Sequence, residues 1–225
     1  MSRVLLLSMV LWIVAGCAGV LRSDAAAPQV YVLRAAASPP RAADAQAQAL
    51  ESARAASTKS AAPPTLQLLR PDADPGLGSE QIVLVRSDHR MDFFAGSRWP
   101  GALQDVVETL AVDTLRVTGD WAAVHDSPSP YVADYLLQIV IRRFEADYTA
   151  EGPVPTVYVT LDCTVARRAG RELLTSFVAE GTQMASENRM AAVISAFEKA
   201  ANAALAVTAQ RTAEAVRTST AQSTP

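Results

Sequence analysis

The sequence predicts an α+β domain, a largely antiparallel sheet with two main helices packed on one face. Three observations carry this. Residues 156–167 alternate strictly, with Val157, Val159, Leu161, Cys163 and Val165 on one side and Thr156, Tyr158, Thr160, Asp162 and Thr164 on the other. That is the period-2 signature of a half-buried strand. Leu103, Val106, Val107, Leu110, Thr114 and Val117 recur instead at helical spacing, and a second helical stripe, from Met190 through Val193, Ile194, Phe197, Ala201 and Ala204 to Leu205, closes the chain. Runs of strands precede each helix, which favours α+β over a strictly alternating α/β order.

The chain opens with Arg3, an apolar run from Val4 to Val14, and the small residues Ala15 and Gly16 directly before Cys17. This order predicts a lipoprotein signal peptide over 1–16, cut between Gly16 and Cys17, with Cys17 lipidated. The run is well short of the ~20 apolar residues a bilayer span needs. Each buried methylene of an acyl chain contributes about 0.8 kcal/mol, so three chains, palmitate among them, would make release negligible. Ala18 stands where an aspartate would favour inner-membrane retention. The expected location is therefore the outer membrane, facing the periplasm. Residues 17–28 read as anchor and tether, and 29–216 as the domain.

Of the 225 residues, 50% are hydrophobic, but much of that fraction is alanine. The formal charge is -3, and losing Arg3 with the signal peptide makes it -4. Such a mild acidic balance excludes a nucleic-acid footprint and leaves membrane attachment to the lipid. With Cys17 consumed by lipidation, Cys163 has no disulfide partner in an oxidising compartment. Its place in the apolar set of its strand predicts a buried, inert thiol.

Within the domain, Gln29–Leu33 reads as a first strand. Residues 35–64 are rich in Ala, Ser, Pro and Gln, with Leu50 as their one large apolar side chain. This stretch reads as a flexible insertion. Thr65–Leu69 and Gln81–Arg86 are the next strands, separated by the turn-forming Pro71–Gly76 cluster. Asp88–Phe94 is expected to return as a hairpin. The first helix begins near Pro100 and stops at Gly119. Trp121–His125 is a short strand. Residues 131–148 are apolar on both sides through Leu136, Leu137, Ile139, Val140 and Ile141, which predicts a central strand covered on both faces. Arg168-Ala169-Gly170 turns the 156–167 strand into a partner over 171–181. The last helix opens near Ser186-Glu187, and 217–225 is expected to fray.

No pattern of reactive groups suggests catalysis, a metal or a cofactor. His89 and His125 are the only histidines and stand in no ligand spacing. Gly76-Leu77-Gly78 lacks the third glycine of a dinucleotide loop, and no serine has the context of a nucleophile elbow. The residues left as a possible partner surface are Arg98, Trp99, Arg142 and Arg143. The alternative for the arginine pair is a solvated strand end, and for Trp99 a core residue at the start of the first helix.

Arg98-Trp99-Pro100, the helix to Val117, the Gly119-Asp120-Trp121 exit and Tyr135-Leu136-Leu137-Gln138-Ile139 together resemble the auxiliary lipoproteins of MCE-type ABC transport systems, the PqiC-like group. Tyr31-Val32-Leu33, Leu161-Asp162 before the Gly170-Arg171 turn, the Phe177 strand and the helix through Phe197 extend the resemblance over most of the mature chain. The resemblance implies a non-enzymatic component that works with a periplasmic MCE-domain protein and an ABC permease and ATPase in moving lipids or other hydrophobic molecules. It carries no catalytic set onto this chain, and the 35–64 insertion is longer than the family pattern. A second reading of the same residues is a stand-alone envelope lipoprotein that binds a ligand or assists assembly. A free sheet edge would also allow a homo-oligomer.

Overall fold

The computed structural model describes residues 27–36, 62–150 and 152–222. The predicted signal peptide, Gly16, Cys17 and most of the predicted insertion lie outside them. The elements, in chain order, are β1 (Gln29–Val30), β2 (Thr65–Leu68), β3 (Asp72–Ala73), β4 (Gln81–Val85), β5 (Met91–Arg98), α1 (Leu103–Val117), β6 (Ala123–His125), β7 (Tyr135–Asp147), β8 (Thr156–Arg167), β9 (Glu172–Met184) and α2 (Met190–Gln222).

The sheet is organised around β7. On one edge β8 pairs antiparallel along its whole length, and β9 pairs antiparallel with β8. On the other edge the chain between Thr65 and Val85 runs beside β7 in the same direction and touches it three times. β2 meets residues 135–137, β3 residues 140–141 and β4 residues 145–147, all parallel. β6 extends the sheet beyond β2, while β5 and then β1 extend it beyond β4. The sheet is mostly antiparallel, as expected, but mixed: its long strands are antiparallel, while the short β2, β3, β4 and β6 run parallel to β7. Side-chain alternation is identical in either direction, so periodicity could not reveal this. Nor could it show that Asp72–Ala73, inside the predicted turn cluster, would pair as β3 before Gly76 turns the chain with φ 94°.

The two helices lie against one face. Val157, Val159, Leu161, Cys163 and Val165 are buried there, as their alternation predicts. α2 approaches so closely that a Cβ on Gly181 of β9 would stand 1.9 Å from the carbonyl oxygen of Ala200. Only glycine fits that contact. By length and composition α2 could cross a membrane, yet Phe197, Ala200, Ala204, Thr208 and Thr212 are buried in the domain core. The hydroxyls of Thr208 and Thr212 donate back to Ala204 O and Thr208 O at 3.0 and 2.7 Å, so neither is left unsatisfied.

Several expectations change. β7 is central, but it is covered on one face only: Leu137, Ile139 and Ile141 are buried while Arg142 is exposed. In α1 the buried stripe includes Ala111, Val112 and Leu115, whereas Val117 is 51% exposed. Ala35, Ala36 and residues 62–64 belong to the folded body: Ala36 N donates to Asn202 Oδ1 at 2.8 Å and Ala122 N to Pro64 O at 2.9 Å. The final helix starts at Met190, later than the Ser186 signal. It continues through the predicted tail to Gln222, held by the Arg217–Asp120 ion pair at 3.2 Å and the buried Ser219.

Candidate interaction surfaces

The predicted surface residues divide into one core side chain and two separate charged sites. Trp99 is 1% exposed. Its ring meets Phe144 and Phe197 edge-on at 5.9 and 5.4 Å, and those two stack at 5.3 Å. This triad ties the entry to α1, the centre of β7 and α2 together, so Trp99 is a core residue and presents no surface to a partner. Arg98 remains half-exposed beside β1, where it pairs with Glu80 at 3.1 Å and its carbonyl accepts Tyr31 N at 2.9 Å.

Arg142 and Arg143 both lie on the face of the sheet that the helices leave open. Consecutive strand residues normally point to opposite faces. Here the register slips between Ile141 and Arg143. Ile141 and Phe144 both face the core and the two arginines between them face out, the geometry of a β-bulge. Arg142 is bound by Asp74 at 2.8 Å and Asp162 at 2.6 Å, which raise its pKa above the usual guanidinium value. Arg143 pairs with Glu145 at 2.6 Å and Asp147 at 3.3 Å, and its guanidinium lies 4.2 Å over the Tyr158 ring. Four carboxylates thus answer two cations, leaving the patch polar and mildly acidic instead of basic. Bulge and network went unseen in the sequence because Asp74 and Asp162 come from distant stretches and only the register slip turns Glu145, Asp147 and both arginines to one face.

Two further features lie where sequence gave little signal. The chain after β1 is strapped across α2: Arg34 N donates to Glu198 Oε2 at 3.0 Å, and the Asn202 side-chain amide accepts from Ala36 N and donates to Arg34 O at 3.0 Å. At the end of the sheet where β7 begins, Tyr131, Val132 and Leu173 are 67, 79 and 62% exposed. Two adjoining grooves of about 420 and 650 Å³ flank Pro63 and Pro64 there, one walled by Trp121 and Val216, the other by Val132 and Arg168. Both open broadly to solvent. Asp134 anchors this end, its carboxylate accepting Thr65 N at 2.8 Å and Thr65 Oγ1 at 2.7 Å, bonds that lower its pKa.

Among the described residues no three His, Cys, Asp or Glu side chains gather as a metal site. His89 occupies the β4–β5 turn with φ 61°, and His125 stacks on Tyr131 at 5.3 Å near the opposite end of β7. Cys163 sits 3.5 Å from Thr208 Oγ1 under α2, and burial pushes its thiol up to about 11. A thiol so protonated is a poor nucleophile.

The described residues thus form an α+β domain with one helix-covered face and one open polar face, strapped across α2 by the chain after β1. The chain belongs to the family of ABC-type transport auxiliary lipoprotein components, whose model matches residues 31–209. No curated protein matches the chain. Among solved structures, it is similar to a protein from Xanthomonas campestris, with a TM-score of 0.65 and 22% identity over 86% of this chain and 97% of that one. A second likeness, to an uncharacterised protein, has a TM-score of 0.56 and 12% identity over 66% of this chain and 91% of the other. Both likenesses show the fold.

Proposed function

We propose that this chain is the outer-membrane, periplasm-facing lipoprotein of an MCE-type ABC transport system, and that it acts by docking rather than by catalysis. In this reading 1–16 is the signal peptide, Cys17 carries the lipid, 17–28 is the tether and the α+β body receives the MCE-domain assembly that the permease and ATPase drive. The observation that carries the reading is the family match over nearly the whole folded body, joined to the Gly16-Cys17 signal upstream of it. The 12-residue step from Cys17 to Gln29 can reach at most about 40 Å in any conformation. The body would stay close to the bilayer. Among the described residues the 13-residue β9 pairs only with β8, which leaves room at its other edge for a second copy in the assembly.

Fractionation and gentle solubilisation test this together. Wild-type protein should sediment with the outer membrane and retain an MCE-domain protein through purification in mild detergent, while Cys17→Ser should move to the soluble periplasmic fraction. A Cys17→Ser protein that stays with the outer membrane would sink the anchor. A wild-type complex devoid of any transport subunit would sink the transport role and favour a stand-alone ligand-binding or assembly lipoprotein.

A further inference from the structure

The sheet ends in two kinds of edge. On the side of β7 away from β8, the outermost strands β1 and β6 are 2 and 3 residues long, and short edge strands are one way a sheet avoids unwanted pairing. β9 closes the other side with 13 residues and, among the described residues, pairs only with β8. It contains no Lys, Arg or Pro, the residues that commonly protect an edge. Its one irregularity falls at Leu174, where the register with Val165 and Ala166 shifts, and from Thr175 to Met184 the ladder is unbroken. On the open face this stretch presents Ser176, Val178 and Glu180, opposite Thr164, Asp162 and Thr160 of β8. Val178 is 49% exposed, an apolar side chain in a polar row.

The helix layer leaves this edge accessible at its middle. α2 stands over β9 where Ala200 meets Gly181, then leans inward: Thr208 Oγ1 lies 3.5 Å from Cys163 Sγ on β8, and Cys163 is the partner of Phe177. Neighbouring strands are about 4.8 Å apart. Two copies joined edge to edge, each with α2 above its own β8, would hold those helices roughly 14 Å apart at this level, beyond the about 8–10 Å at which helices touch.

We propose that β9 pairs antiparallel with β9 of a second copy about a two-fold axis through Val178. The axis stands perpendicular to the sheet and keeps both helix layers on one side. Side-chain chemistry selects this register. Glu180 on the axis would oppose Glu180 of the second copy, and Ala179 on the axis would set Glu180 against Val178. Phe177 on the axis would shorten the regular ladder to residues 175–179. With Val178 on the axis residues 175–181 pair in full, Val178 covers its own counterpart, and Ser176 meets Glu180 twice, hydroxyl to carboxylate. The two Arg211 side chains, each 4.7 Å over its Phe177 ring, are exposed near the axis, so water and salt screen their repulsion. This goes beyond the auxiliary reading by turning the room beside β9 into a defined isologous interface, and it rests on the fold alone.

Single cysteines in the full lipidated chain test it, since Cys163 is buried and Cys17 carries the lipid in that reading. Residues directly opposite have Cα atoms about 4.5–5.5 Å apart, within disulfide reach. On mild oxidation Val178→Cys should give a linked homodimer at least about tenfold above Met91→Cys, which is 46% exposed on β5 and reports chance encounters. Ser176→Cys and Glu180→Cys should each stay unlinked alone, because each lies about 13 Å along the strand from its own counterpart, yet should link to one another when co-expressed. A Val178→Cys yield no higher than that of Met91→Cys would overturn the pairing while leaving the auxiliary reading standing. A homodimer from Glu180→Cys alone would overturn the register. Linkage of Val178→Cys to a chain of different mass would overturn the second copy as the occupant of this edge.

Discussion

The two faces of β7, β8 and β9 share one backbone and opposite construction. Toward the helices the strands present Ile139, Ile141, Phe144, Val159, Leu161 and Cys163, all buried. Toward solvent they present Arg142, Arg143, Tyr158, Thr160, Asp162 and Thr164, joined by ion pairs and a guanidinium over a ring. The buried face acts through excluded water and close packing, whose loss leaves a cavity. The open face acts through charges that water screens and could replace. Stability should therefore reside on one face, and freedom to vary or to bind on the other.

The sharpest way to break that contrast is at Trp99. Trp99→Ala removes the ring that joins Phe144 and Phe197, and should cost about 3–5 kcal/mol in urea unfolding. A cost no larger than that of an exposed substitution would mean the aromatic triad does not organise the core.

A smaller effect is expected at Cys163, read through pH. Its thiol titrates near 9.0 when unfolded and about 11 when folded. Between those values the unfolded chain has lost a proton that the folded chain keeps. Stability contributed by the protonated thiol is thus complete below pH 9 and falls as pH rises toward 11, by about 1.4 kcal/mol per unit. The slope should flatten in Cys163→Ala. An unchanged slope would show that solvent reaches the thiol in the native state.

The smallest effect belongs to the open face. Arg142→Ala should shift the urea midpoint less than either change above, with the difference shrinking further in high salt, since the pair with Asp74 and Asp162 is solvent-exposed. A loss matching Trp99→Ala would erase the distinction between the faces.

The sequence was most informative where a residue's role depends on its near neighbours. β8 spans the predicted 156–167 because its alternation is unbroken, and that alternation alone put Cys163 in the core. The first helix was legible from its spacing and from Pro100 and Gly119. Yet Val117 was assigned inward and Leu115 overlooked, because which side of a helical stripe meets the sheet depends on where the sheet lies. Arg142-Arg143 could be read either as a possible partner surface or as a solvated strand end for the same reason. The pair is contiguous in sequence, and Glu145 and Asp147 follow it on the same strand, while Asp74 and Asp162, which bind Arg142, are brought to it only by the fold. Gly181 did leave a trace, as a glycine inside a strand pattern. What approached it was invisible.

By itself, then, the sequence determined the kinds of element, the apolar face of β8, the inert setting of Cys163 and the resemblance that the family match bears out, because each depends on local periodicity or short ordered motifs. Only the tertiary structure decided that β2, β3 and β4 run parallel to β7, that Trp99 is a core residue, that a bulge turns both arginines outward, and that β1 runs parallel to β5. Those outcomes depend on strand direction and on contacts between residues tens of positions apart, and side-chain periodicity carries neither.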